Sequence, residues 1–298
     1  MAEVVAVHGV WNYQSHRTPS QAAADLGADW EKKLLDGYLD AGLGHLRAPG
    51  VAAAYYAHLL RNAAEQSAQV EQSGALDPES LTPAERLLLT EWGLAHGMPQ
   101  EVAQGPATAV VEPVLSWVLR NSGGIRRRTA GLAARALREV RTYLGKQDRR
   151  EAVQDVVRAR LAEHAPTVAI GHSLGSVVLY ESLWREPYPE IDLLVTLGSP
   201  LALPGGIFDR LDHGGLTVRG ARPPGVKRWV NLAETGDLFA VPRPLSDRFD
   251  GVHTDENVYM APADCHTMGM YLSCGMITAA IAPYLATPDE VMSPAPAD

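Results

Sequence analysis

The sequence predicts an α/β fold, a mostly parallel sheet of about six strands flanked by helices and carrying a helical lid or cap insertion. Three observations predict it. Apolar runs of strand length alternate with segments of helical periodicity. One block, residues 61–147, breaks that alternation and reads as helical. A serine between two glycines follows a buried apolar run at the point where a helix opens.

The first strand is Val4 to Val7, running into the tight loop His8-Gly9-Val10-Trp11-Asn12. Thr18-Pro19-Ser20-Gln21 supplies an N-cap, a proline at the first helical position and a glutamine three residues past the cap. Ala22, Leu26, Trp30 and Leu34 then recur at four-residue spacing, predicting a helix of about five turns. Val51 to Tyr56 is the second strand-like run. Within the insertion, Thr82-Pro83-Ala84-Glu85 is a second capping box opening a helix towards Trp92, and 110–119 and 129–144 read as further helices. Val111, Val114, Leu115 and Val118 form a candidate apolar wall facing a ligand, with simple packing on the sheet as the alternative.

Alternation resumes after Asp148, which with Glu151 is expected to form a third capping box. Val168 to Ile170, Leu193 to Leu197, Trp229 to Leu232 and Asn257 to Met260 are the later strands. Val177 to Trp184 and Met268 to Ala282 are the helices among them. One α/β domain over 1–286 follows, with its core in 1–60 and 148–286, the helical insertion at 61–147 and a disordered Pro-rich tail at 287–298.

Composition bounds the class without naming a chemistry. The 298 residues are 46% apolar, and 26 Lys+Arg against 35 Asp+Glu give a net charge of −9, which argues against a dedicated nucleic-acid binder. Two cysteines cannot form a disulfide framework, and no apolar run reaches membrane-spanning length. With Glu3 ahead of a short apolar stretch, no secretory signal is read and a cytoplasmic location is expected. The charge is uneven: 120–160 holds twelve Lys+Arg and four Asp+Glu, with Arg126-Arg127-Arg128 the densest point. That patch could meet an anionic partner; a solvated helical face is the favoured reading.

The chemistry centres on Gly171-His172-Ser173-Leu174-Gly175. A strand–turn–helix corner forces its serine into an unfavourable backbone conformation, and only glycines two residues away leave room for the turn. A serine hydroxyl needs a base, and the base needs an acid to orient it. The expected chain order is serine, acid, histidine. Of ten histidines, His266 alone follows the elbow and sits just beyond a late strand, whereas His253 precedes that strand and His213 lies in a Gly-rich loop. Asp237 is the expected acid, with Glu234 and Asp264 as alternatives. Backbone N–H groups of Leu174 and Val10 are the expected oxyanion donors. His8 and His172 read as structural histidines, and Cys265 and Cys274 as ordinary thiols.

These segments, V-V-A-V-H-G-V, G-H-S-L-G-S, W-V-N-L-A-E-T-G-D and the late His266, resemble the α/β-hydrolase superfamily. Within it they are most similar to lipase-like serine esterases, including the GPI-inositol-deacylase-like group. The resemblance spans about 1–60 and 150–285. It implies a Ser173–His266–Asp237 triad, an acyl-enzyme intermediate and no cofactor or metal, with a small-molecule, lipid or peptide acyl substrate. Ester hydrolysis leads. Amide, peptide or thioester cleavage and acyl transfer or cyclisation use the same triad. A non-catalytic binding protein on a hydrolase fold is the rival from another class.

Overall fold

A computed structural model describes residues 2–61, 81–103, 113–114, 116–117, 128–212, 218–260 and 266–286, and for 103 and 128–135 the backbone alone. Six parallel strands form the main sheet: β1 (Val4–Val7), β2 (Val51–Ala54), β3 (Val168–His172), β4 (Ile191–Leu197), β6 (Val226–Glu234) and β8 (Thr254–Val258), in the order β2-β1-β3-β4-β6-β8. A two-stranded pair, β5 (Gly220–Ala221) with β7 (Phe249–Asp250), stands apart. The α/β architecture and the strand count are those the sequence predicts.

Parallel strands covered on both faces must be apolar on both, and β1, β3 and β4 are buried along almost their whole length. Their side chains divide with period two. Val4, Ala6, Val168, Ile170, Leu193 and Val195 pack on one side, against α1 (Pro19–Asp40), α6 (Met268–Leu272) and α7 (Gly275–Leu285). Val5, Val7, Ala169 and Leu194 face the other core, which holds α5 (Leu174–Leu183), α4 (Gln147–His164), α3 (Arg128–Gly145) and α2 (Pro83–Ala95).

Both capping boxes that begin with threonine are formed. Thr18 and Gln21 close the start of α1, and Thr82 and Glu85 the start of α2. The third is not. α4 begins at Gln147 behind Lys146, which makes no side-chain capping bond, and Asp148 lies inside the first turn, where its charge suits the helix dipole. β8 also differs, running over Thr254–Val258 rather than Asn257 to Met260. It is an edge strand whose inward contact is polar: the Asp255 carboxylate accepts from Asn231 Nδ2 on β6 at 2.8 Å, so an apolar pattern misplaces it. The expected closing helix is two. α6 ends at Leu272 and α7 starts anew after Cys274, its Gly275 N–H donating to Asp40 of α1 at 2.8 Å.

Among the described residues between β2 and β3 the regular structure is helical. Val114 is fully buried, and a methyl on Gly93 would lie 2.8 Å from its Cγ1. It therefore packs on α2. Val111, Leu115 and Val118 lie outside the described residues, as do Arg126, Arg127 and the 287–298 tail. Several of the basic side chains that are described serve the fold. Arg141 pairs with the buried Glu85, and Arg150 with Glu181, which also accepts from Tyr143, Gln154 and the Asp212 N–H. These two are tied to buried carboxylates rather than spread over a solvated face. No helix among the described residues is long and apolar enough to cross a membrane.

Candidate active site

The site forms at the carboxyl ends of β1, β3 and β6. β3 ends at His172, and Ser173 turns the chain into α5 with φ 53° and ψ −128°, a left-handed conformation that costs a serine energy and persists only when its surroundings enforce it. The flanking glycines show how. A methyl on Gly171 would lie 2.7 Å from Ser176 Cα, and one on Gly175 would lie 2.3 Å from the carbonyl oxygens of Val7 and His8. Ser176 locks the turn from inside, its hydroxyl donating to Ser173 O at 2.6 Å.

Ser173 Oγ lies 2.8 Å from His266 Nε2, and His266 Nδ1 lies 2.8 Å from Asp237 Oδ2. The carboxylate accepts, so Nδ1 carries the proton and Nε2 is left to accept from the serine hydroxyl. Asp237 is buried and sits in the loop after β6. Burial pushes its carboxyl up. The charge and hydrogen bond of His266, the Tyr271 hydroxyl and the Phe239 N–H together outweigh that and hold it below its ordinary value.

The sequence places Ser173, Asp237 and His266 at three distant positions, and the fold brings them together. Glu234 does not join them: its carboxylate accepts from Gly236 N–H and closes its own loop. Asp264, Cys265 and His213 lie outside the described residues. Cys274 is half-buried, and His253 Nδ1 accepts from Trp229 N–H at 3.2 Å, away from the serine. His172 is buried with its ring 4.7 Å from that of His266, and burial, then the neighbouring His266, hold it neutral well below the usual histidine range.

His8 is likewise structural. Its Nε2 accepts from Tyr56 N–H at 3.0 Å, which leaves Nδ1 to donate to Gly9 O at 2.7 Å. Burial lowers its pKa to about 4. The loop it fixes passes close to the nucleophile, since a methyl on Gly9 would lie 2.7 Å from Ser173 Cβ. Val10 follows in that loop. Leu174 opens α5, where first-turn N–H groups have no acceptor in their own helix.

Sequence reasoning missed Tyr271, whose buried hydroxyl accepts from Glu234 N–H at 2.9 Å and donates to Asp237 Oδ2 at 2.7 Å. It lies five residues past His266 and no local motif marks it. It also missed the walls. A pocket partly open to solvent borders Ser173 and is lined by Leu88, Leu89 and Trp92 of α2, Leu137 and Val140 of α3, and Phe239, among others. Phe239 lies 4.4 Å from the His266 ring and stacks at 6.0 Å on Trp92. α2 is also bonded to the acid loop, Trp92 Nε1 and His96 Nε2 both donating to Leu238 O, at 2.6 and 2.7 Å. The signal for these walls was present only as helical periodicity, which says that a face is buried but not against what.

Among the described residues no group of acidic, histidine or cysteine side chains is arranged to hold a metal. No family model matches the chain, and neither a curated protein nor a solved structure is found to be similar to it.

Proposed function

We propose that the chain is a serine hydrolase of the α/β-hydrolase type that cleaves carboxylic esters with an apolar acyl group. The observation that carries this reading is the hydrogen-bonded series Ser173 Oγ, His266 Nε2, His266 Nδ1, Asp237 Oδ2, hung on a strained strand–helix corner. A pure binding protein has no use for a serine held in strain against a base.

In the proposed reaction His266 Nε2 takes the Ser173 proton as Oγ adds to the ester carbonyl carbon. The carbonyl oxygen becomes an oxyanion facing the N–H groups of Val10 and Leu174. Asp237 holds the imidazole in the tautomer that accepts at Nε2 and stabilises the imidazolium that forms. Collapse breaks the bond to the alcohol, which leaves with the proton from His266. Water, giving its proton to the same nitrogen, then adds to the acyl carbon, and the acid leaves as His266 returns that proton to Ser173 Oγ.

The acyl preference follows from the pocket lining, which is leucine, valine, tryptophan and phenylalanine around the serine. Each methylene buried there contributes about 0.8 kcal/mol, or roughly fourfold in kcat/KM. The test is a series of p-nitrophenyl esters from acetate upward, with matched anilides and thioesters and Ser173→Ala as control. The expected result is kcat/KM that climbs with acyl length and then levels off as the pocket fills. Folded wild-type protein that turns over no member of the series overturns the reading.

A further inference from the structure

The proposed reaction, on which this inference rests, places Val10 N–H at the developing oxyanion, and the loop's hydrogen bonds fix the peptide that carries it. A peptide unit is planar and trans, so holding a carbonyl oxygen fixes the direction of the N–H on its other side. The Gly9 carbonyl, which shares its peptide with Val10 N–H, accepts from His8 Nδ1 at 2.7 Å and from Asn12 Nδ2 at 3.1 Å. The next peptide is held at both ends. Val10 O accepts from Asn12 Nδ2 at 2.9 Å, and Trp11 N–H donates to both carboxylate oxygens of Glu139, each at 3.3 Å.

Three of these grips belong to the loop itself. The fourth comes from α3, 128 residues away in the chain. It falls on a residue that resists its own conformation: Trp11 has φ 67°, a left-handed value that a bulky aromatic residue rarely adopts. Such a conformation lasts only where outside contacts over-determine it. The Trp11 ring lies 6.1 Å from that of His266 and 5.6 Å from that of Phe239, so relaxation of Trp11 would be felt beside the base as well as at the donor.

We propose that Glu139 is a positioning residue for the oxyanion donor. By accepting from Trp11 N–H it holds the strained Val10–Trp11 peptide in place, and through it the aim of Val10 N–H at the oxyanion. The segment between β2 and β3 thereby completes the reaction centre as well as lining the pocket, which neither the elbow nor the three reacting side chains reveal.

Glu139 touches no reacting atom, so its removal lowers kcat and spares KM. The experiment measures kcat and KM on p-nitrophenyl butyrate, together with melting temperature, for wild type, Glu139→Ala, Glu139→Gln and Glu139→Met. The expected result is a loss of about tenfold or more in kcat for Glu139→Ala, a part of the hundredfold or greater loss that follows outright removal of an oxyanion donor. KM stays within twofold, and Glu139→Gln, which keeps an acceptor oxygen, recovers most of the rate. Should Glu139→Ala not fold, Glu139→Met, of similar length and with no acceptor oxygen, decides by the same criterion. A folded Ala or Met variant that keeps kcat within twofold of wild type overturns the proposal, as does a loss that Glu139→Gln does not restore. Failure of the underlying reading is separate: there the wild type itself neither hydrolyses the ester nor reacts with a fluorophosphonate.

Discussion

The serine side and the acid–base side of the site are built on different principles. Ser173 is set by backbone sterics: β3 lies inside the sheet, fully buried, and its two flanking glycines sit where a methyl would meet backbone atoms at under 3 Å. His266 and Asp237 are set by side chains. They lie towards the edge of the sheet, beyond β6 and β8, and hang on hydrogen bonds from Ser173, Tyr271 and Phe239 N–H. A close-packed backbone has one solution and fails as a whole. A side-chain network can lose a member and keep the fold. The serine half should therefore respond to substitution through stability, and the acid–base half through rate.

The largest expected effect is on rate, at the acid. Asp237→Asn leaves the shape but offers His266 an amide, which can stabilise the wrong tautomer, and kcat is expected to fall by about 10⁴ in a protein that still folds, a far larger effect than its loss of stability. Ester turnover measured beside a thermal melt checks both halves of that statement. Next is Gly175→Ala. Within an ordinary helix that change gains about 1 kcal/mol. Here the new methyl would meet two backbone carbonyls at 2.3 Å, and a net loss of about 3 kcal/mol is expected, read by urea unfolding. A stabilised Gly175→Ala protein would break the contrast between the two halves.

Tyr271→Phe should give an intermediate result. It removes the donor to Asp237 Oδ2 and leaves Glu234 N–H buried without its acceptor, which costs about 1–3 kcal/mol in stability. About a tenfold fall in kcat is expected as the carboxylate loses one of its supports. Steady-state kinetics and urea unfolding on the same preparation separate the two effects.

How much of this was legible in the sequence divides along the same line. The elbow, the first strand, and the Thr18 and Thr82 helix starts were readable because each depends on neighbours in the chain: glycines two residues from a serine, or a glutamine or glutamate three residues past a threonine. Ser173, Asp237 and His266 could be named because each follows a strand in a known order. The supports could not. Tyr271, Asn12 and Glu139 act across 34, 2–3 and 128 residues, and only for Asn12 is that separation local. β8 was misplaced because its inward contact is an aspartate, and the break after Leu272 because its cap is Asp40, on another helix. For Val114 the sequence leaves an acyl wall and simple packing both open, since periodicity marks a buried face without saying what it meets; in the fold it packs against Gly93 of α2.

Acid probes the two halves in different windows, the buried histidines above about pH 4 and the carboxylate below it. His8 and His172 are buried and neutral, their pKa values lowered by burial, to about 4 for His8. Between that value and the unfolded value of about 6.5 the unfolded chain binds more protons, so stability falls as pH drops through this window, by up to about 3 kcal/mol from His8. Asp237 has the depressed pKa of a paired carboxylate, so its contribution is present above the ordinary carboxylate range and is lost as pH falls below it. Melting temperature should thus decline steadily from pH 7 to pH 4. A flat profile over that interval would contradict the burial of these histidines.

The central claim is that Ser173 is an activated nucleophile, and the most direct measurement of it is intact-protein mass spectrometry after exposure to a fluorophosphonate, with the adduct located by peptide mapping. The account predicts one covalent phosphonyl group on the peptide bearing Ser173, absent in Ser173→Ala and formed far more slowly in His266→Ala. Folded wild-type protein that remains unmodified, or that carries the adduct on another residue, would contradict it.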